Sequence, residues 1–143
     1  MTRNRILLIA LLTSIVLAAC GGGASQPSDD TQALSGDGYT DISPRELETM
    51  LAEKDFFFVN VHIPYEGEIA QTDAFVPFDQ VEAQLVAFPA DKNAKIVVYC
   101  RSGSMSAIAA RELVRLGYTN VWNLDGGMIA WKAAGNELIQ RDA

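Results

Sequence analysis

From Tyr39 to Ala134, short apolar runs alternate with stretches whose apolar residues recur at helical spacing. Tyr39 to Ile42 predicts a short strand. Ser43-Pro44-Arg45-Glu46 then reads as a capping box with proline at the first helical position, opening a helix to about Glu53. Phe56 to Val61, FFFVNV, is a dense apolar and β-branched run of the kind that suits a strand buried on both faces. A polar loop follows from Ile63 to about Asp73. Gln80 to Phe88 shows helical spacing at Val81, Leu85 and Phe88 and is stopped by Pro89. Ile96 to Tyr99 is the next strand, and the helix after it carries Met105, Ile108, Ala109, Leu113 and Leu116 on one face until Gly117 ends it. Val121 to Leu124 predicts another strand, and Met128 to Ala134 a short helix after Gly126-Gly127. Strands alternating with helices predict one α/β domain, with a central parallel sheet, helices on both faces and right-handed crossovers. No internal repeat is present.

The first 38 residues break this pattern. Arg3 and Arg5 precede an uncharged, mostly apolar stretch from Ile6 to Ala19, the shape of an export signal. At about 14 residues it falls short of the roughly 20 that a membrane-spanning helix needs. Leu17-Ala18-Ala19-Cys20 resembles the lipobox of bacterial lipoproteins, which implies cleavage before Cys20 and a lipid on its sulfur. The other reading is an ordinary secretory signal with an incidental cysteine. Residues 20–38, rich in Gly, Ser and Asp, predict a flexible tether with a reach on the order of 25 Å. The expected organisation is therefore a signal peptide over 1–19, a linker over 20–38 and a folded domain over 39–140. It places the domain outside the cytoplasm, lipid-anchored to a bacterial cell membrane.

Charge narrows the partners. The formal net charge is −7, and removing residues 1–19 leaves nine Lys and Arg against 18 Asp and Glu, or −9. Nucleic acid is excluded as a partner, and membrane contact is expected from the anchor rather than from a basic face. If Cys20 carries lipid, Cys100 is the one free thiol left. An unpaired cysteine in an exported chain suggests a reactive group.

Cys100 ends an apolar strand and heads a Ser/Gly-rich loop, Cys100-Arg101-Ser102-Gly103-Ser104-Met105-Ser106, that runs into a helix. In a parallel sheet, ligands bind beyond the carboxyl ends of the strands. Backbone N–H groups of such a loop, together with those of the helix N-terminus, favour anions and ionise a thiol. From spacing alone, Cys100 as a small buried hydrophobe remains an equal alternative.

Several residues together resemble the rhodanese-like sulfurtransferases. The Cys-headed loop is one part. Val121-Trp122-Asn123-Leu124-Asp125-Gly126-Gly127 with Trp131 looks like that family's later signature, a strand leading into Leu-Asp/Glu-Gly-Gly and then a Trp. Residues 39 to 62 look like its opening, and the resemblance covers about residues 38 to 140. The departures concern charge. Where family members usually read Val-Asp-Val-Arg, this chain has Val59-Asn60-Val61-His62. The common Gly-His-Ile-Pro-Gly-Ala stretch is rebuilt over residues 67–74, and Met105 stands where many members carry Arg.

The resemblance implies that Cys100 accepts sulfane sulfur from thiosulfate or a persulfide and passes it to a thiol or cyanide, with no cofactor. Arg101 to Ser106 would form the anion-binding loop. Fewer cations than usual surround it, so thiosulfate is expected to be a poor donor. His62 is a candidate pocket residue, with a loop hydrogen bond as its commoner role; one histidine and one thiol do not make a zinc site. Glu66 and Glu68 read as a solvated loop face, Asp125 as a support of the Gly-Gly turn, and Trp131 as core. A phosphatase reading fails because the C-x5-R spacing would need Arg at position 106, which is Ser106. A catalytically weak binding module and a thiol sensor remain as alternatives, the latter lacking a second free cysteine to resolve a sulfenic acid.

Overall fold

The computed structural model describes residues 36–141. The lipobox, Cys20 and all but the last three residues of the linker lie outside the described residues. Among the described residues, five strands and three α-helices follow in the order β1 (Thr40–Ile42), α1 (Pro44–Ala52), β2 (Phe57–Asn60), β3 (Ala74–Phe75), β4 (Ile96–Tyr99), α2 (Ser104–Arg115), β5 (Val121–Leu124) and α3 (Gly127–Ala133). The sheet order is β1-β5-β4-β2-β3, and every pair is parallel. β4 is thus central. Val98 lies between Val59 of β2 and Asn123 of β5.

Central position explains the unbroken apolar run before Cys100. Ile96, Val98 and Cys100 pack with α2 residues Ala109, Ala110 and Leu113. Val97 and Tyr99 face the other layer, with Leu47 of α1 and Met128 and Trp131 of α3. All five residues from Ile96 to Cys100 are 0–1% exposed, so both faces of this strand are core. Ser43 caps α1 as a capping box: the Glu46 N–H donates to Ser43 Oγ at 3.3 Å, and the Ser43 N–H donates to Glu46 Oε2 at 2.7 Å.

Three expectations fail locally. Residues 80–88 form turns and a 3₁₀ turn at Leu85–Ala87 rather than a helix. Phe88 before Pro89 takes an extended conformation, φ −95° and ψ 157°, because the proline ring disfavours the helical region there. Val81 and Phe88 still reach the core. Ile108 is 50% exposed, since the buried face of α2 runs through Ser106, Ala109, Ala110 and Leu113. The rebuilt loop also contains an unexpected edge strand, β3. Asp73 creates it: the carboxylate accepts from the Phe58 N–H at 2.8 Å and pairs with Lys54, while the Asp73 N–H donates to the Phe58 carbonyl.

Candidate active site

The chain leaves β4 at Tyr99 and turns back into α2 within four residues. Gly103, at φ +92°, is the N-cap of α2, a left-handed conformation that suits glycine. The Gly103 N–H donates to Cys100 Sγ at 3.1 Å, and the Ser106 hydroxyl lies 3.4 Å from the same sulfur. Ser106 Oγ is also 3.1 Å from the Gly103 carbonyl, so its one proton serves either acceptor. Both contacts make the sulfur an acceptor, a role that an anionic sulfur fills better than a neutral thiol. Cys100 is 1% exposed and Ser106 fully buried, whereas Arg101, Ser102 and Ser104 face solvent and Met105 is half-buried against the α2-side core. The N–H groups of Ser104, Met105 and Ser106 lie in the first turn of α2, where no intrahelical partner exists.

The second glycine motif holds this loop from behind. The Met128 N–H donates to the Cys100 carbonyl at 2.9 Å, and the Ile129 N–H to the Arg101 carbonyl at 3.0 Å. The start of α3 therefore receives the carbonyls of the Cys loop. So close an approach leaves no room for a side chain at Gly127, where a Cβ would sit 2.3 Å from the Cys100 carbonyl oxygen, and little at Gly103, where it would sit 3.2 Å from the Gly126 nitrogen. Asp125 is exposed and joins the turn through its backbone, its N–H donating to the Ile42 carbonyl at 2.9 Å. Trp131 is core, with its indole N–H donating to the Glu137 carbonyl.

The turn after β2 is organised by Asn60. Buried, it accepts from the His62 N–H at 3.0 Å and donates to the Gly67 carbonyl at 3.1 Å. An aspartate there would lack the second, donating half. His62 is buried at 6% exposure, with Nε2 3.0 Å from Glu66 Oε2; a carboxylate only accepts, so Nε2 carries the proton. The same Glu66 oxygen is 3.4 Å from Arg101 Nε. His62 is thus linked to the Cys loop through Glu66 and Arg101, not by a hydrogen bond to Cys100.

Glu68 is not solvated. It is 4% exposed, pairs with Arg141 at 3.1 Å, and its backbone forms an antiparallel bridge with Ile139. Tyr99 supports the same loop from below, its hydroxyl accepting from the Ile69 N–H at 3.0 Å and meeting Thr72 Oγ1 at 2.7 Å. Burial pushes the Tyr99 phenol well above its ordinary value, with Thr72 and Ile69 opposing. A groove of about 370 Å³ adjoins the site at Arg101, lined also by Glu66, Met128, Ile129, Lys132 and Leu138. Among the described residues, no three His, Cys, Asp or Glu side chains cluster as metal ligands would.

Comparison with known proteins agrees with this geometry. Residues 43–134 match the model of the family described as rhodanese-like domain. A sulfurtransferase of Allochromatium vinosum is 35% identical over 104 residues, which cover 69% of this chain and 94% of that protein. The adenylyltransferase and sulfurtransferase UBA4 of Candida albicans is 28% identical over 115 residues; the match spans 78% of this chain and only 26% of that longer protein. The crystal structure of a rhodanese-like domain protein from Staphylococcus aureus matches with a TM-score of 0.61 and 30% identity, covering 71% of this chain and 98% of the other.

Proposed function

The chain belongs to the family of rhodanese-like domains, and from that premise we propose that it is a sulfurtransferase carrying sulfane sulfur on Cys100. The observation that carries this is the cradle itself, with the Gly103 N–H and the Ser106 hydroxyl set on one sulfur at the carboxyl end of the central strand. In the first step the Cys100 thiolate attacks the outer sulfur of a donor. With thiosulfate, the bond between the two donor sulfurs breaks, its electron pair leaves with sulfite, and Cys100 becomes a persulfide. In the second step an acceptor thiolate or cyanide attacks the outer sulfur, and the Cys100 thiolate is returned. Covalent catalysis splits one hard displacement into two easier ones. The two hydrogen-bond donors meet negative charge on Sγ in the thiolate before loading and again as the acceptor takes the outer sulfur, without rearrangement.

Intact-mass measurement after incubation with candidate donors tests this. The protein should gain one sulfur atom that cyanide removes, and Cys100→Ser should gain none. An unloaded wild-type protein, under conditions where a control sulfurtransferase loads, would sink the proposal. One observation favours the alternative of a weakly catalytic binding or thiol-sensing module: Cys100 is 1% exposed, and buried thiols are generally inert. The same experiment separates the two readings.

The sequence at the N-terminus supports an anchored location outside the cytoplasm, with the lipid on Cys20, and the proposed activity makes small sulfur donors and thiol acceptors its partners. Several acyl chains, at about 0.8 kcal/mol per buried CH₂, suffice for stable attachment. Cells expressing the full sequence and fed labelled palmitate should label the mature chain, beginning at Cys20, in the membrane fraction, and Cys20→Ser should lose the label. An unlabelled wild-type chain rules the anchor out.

A further inference from the structure

The sulfur chemistry assigns no task to Glu66. Its carboxylate is nevertheless placed where charge matters most. Arg101 follows the nucleophile directly and is the one cation in the Cys100–Ser106 loop. Glu66 Oε2 lies 3.4 Å from Arg101 Nε and 3.0 Å from Nε2 of His62, whose side chain is 8% exposed. Glu66 and Arg101 are themselves 47% and 60% exposed, so their pairing adds little to stability. Its effect is on what Arg101 is free to hold. An anion seated on Arg101 would stand within a few ångströms of a carboxylate that a buried histidine fixes in place.

The groove beside this pair has a different character. Its floor is apolar, formed by Met128, Ile129 and Leu138, and Ile129 is 52% exposed. Of the two cations in its lining, Arg101 is paired with Glu66, which leaves Lys132 to meet an anion. Such a surface suits an apolar body with one anionic group.

We infer that Glu66 is a specificity-determining residue that turns the site away from the thiosulfate dianion. With the adjoining groove, it directs the site to a donor that carries one negative charge and an apolar organic substituent. This rests on the sulfurtransferase reading of Cys100 and names its donor class. An aromatic thiosulfonate is the simplest such probe. The Cys100 thiolate attacks its outer sulfur, the sulfur–sulfur bond breaks with its electron pair leaving on the sulfinate, and Cys100 becomes the same persulfide that thiosulfate would give.

The test compares kcat/KM for thiosulfate and benzenethiosulfonate in wild type, Glu66→Gln and Ile129→Ser. Glutamine keeps an acceptor for His62 and removes the charge. One charge at roughly 5 Å, screened by water and salt, slows a dianion about tenfold and a monoanion about threefold. Wild type should prefer benzenethiosulfonate, and Glu66→Gln should move the ratio toward thiosulfate by about threefold, less at high ionic strength. Ile129→Ser should move it the same way by weakening use of the aromatic donor. Donors that both load Cys100 with an unchanged ratio in Glu66→Gln, or a wild-type preference for thiosulfate, would overturn the role of Glu66. An unchanged ratio in Ile129→Ser would overturn that of the groove. Failure of both donors to load wild type is a different result, and it removes the sulfurtransferase reading itself.

Discussion

Replacing Gly127 by alanine isolates the contact on which the cradle depends. Two penalties arise at once. The residue sits at φ +55°, where an L side chain costs about 1–2 kcal/mol. The added Cβ would stand 2.3 Å from the Cys100 carbonyl oxygen and 2.8 Å from the Arg101 carbonyl carbon and oxygen. These are backbone atoms, which cannot rotate aside as the end of a side chain would. Relief requires α3 to retreat from the loop, stretching the bonds from the Met128 and Ile129 N–H groups at 2.9 and 3.0 Å. Losing both costs about 1–3 kcal/mol, and residual overpacking about 1–3 more.

Gly135→Ala is the matched control. Gly135 also has positive φ, +97°, yet nothing lies within 4 Å of the position its Cβ would take. Both variants therefore carry a positive-φ penalty, no smaller at Gly135, and only Gly127→Ala adds a clash. Thermal unfolding followed by circular dichroism should place Gly127→Ala at least about 8 °C below Gly135→Ala, from a difference of at least about 2 kcal/mol. Intact mass should show Gly135→Ala loading sulfur as wild type does, and Gly127→Ala loading slowly or not at all. If the two variants melt together and load alike, the start of α3 does not orient the Cys loop, and the reasoning is wrong.

Two further predictions test the groups around the sulfur and beneath the loop. Ser106→Ala removes the hydroxyl 3.4 Å from Cys100 Sγ, and at about 1 kcal/mol of lost stabilisation of a charged sulfur, stopped-flow discharge of the persulfide by cyanide, the step that returns charge to Sγ, should slow by roughly three- to tenfold; an unchanged rate would show that Gly103 alone carries the charge. Tyr99 is neutral and buried, and its phenol titrates higher in the folded chain than in the unfolded one, so above pH about 10 the unfolded state sheds the proton first. Its stabilising contribution is complete below that pH and declines as pH rises toward the folded value. Denaturant titrations should therefore show a smaller alkaline loss of stability in Tyr99→Phe, alongside a cost at pH 7 of about 1–3 kcal/mol for leaving the Ile69 N–H without its 3.0 Å partner. Parallel curves for the two proteins would exclude Tyr99 as the source of the slope.

Most elements were legible because local signals agreed with the fold. Ser43 and Glu46 cap α1 within four residues of chain, and the apolar runs of β2, β4 and β5 are buried on both faces as such runs require. What escaped the sequence depends on partners far along the chain. Glu68 looks like a loop carboxylate until Arg141, 73 residues later, reaches it. β3 follows from Asp73 bonding to Phe58 and Lys54, which no periodicity records. Residues 80–88 carry helical spacing because Val81 and Phe88 both reach the core, and i+3 turns place them there as a helix would. Cys100 and its loop stood out early, but the reason for Gly126-Gly127 did not. A motif shows that glycine is present, not what approaches it.

The structure supplies that approach, and with it a reason for two distant glycine motifs to occur together. A trans peptide points its C=O and N–H to opposite sides. With the Cys100 and Arg101 carbonyls bonded to the start of α3, the N–H groups of Arg101 and Ser102 point away from α3. Gly103 then reverses the chain at φ +92° so that its own N–H meets the sulfur, and it does so close against the Gly126 backbone, 3.2 Å from where a Cβ would stand. The cradle is thus made by backbone, the Ser106 hydroxyl and missing side chains, and its donors face the sulfur whatever residues surround the loop. Donor choice has to be set elsewhere. Among the groups next to the loop, those that carry charge or apolar surface to a ligand are Arg101, Glu66 and the first turn of α3. Asn60 and His62, which depart from the usual pattern, set the position of Glu66 without touching the sulfur. Substitutions in the turn after β2 should therefore change which donor is used before they change whether sulfur is carried.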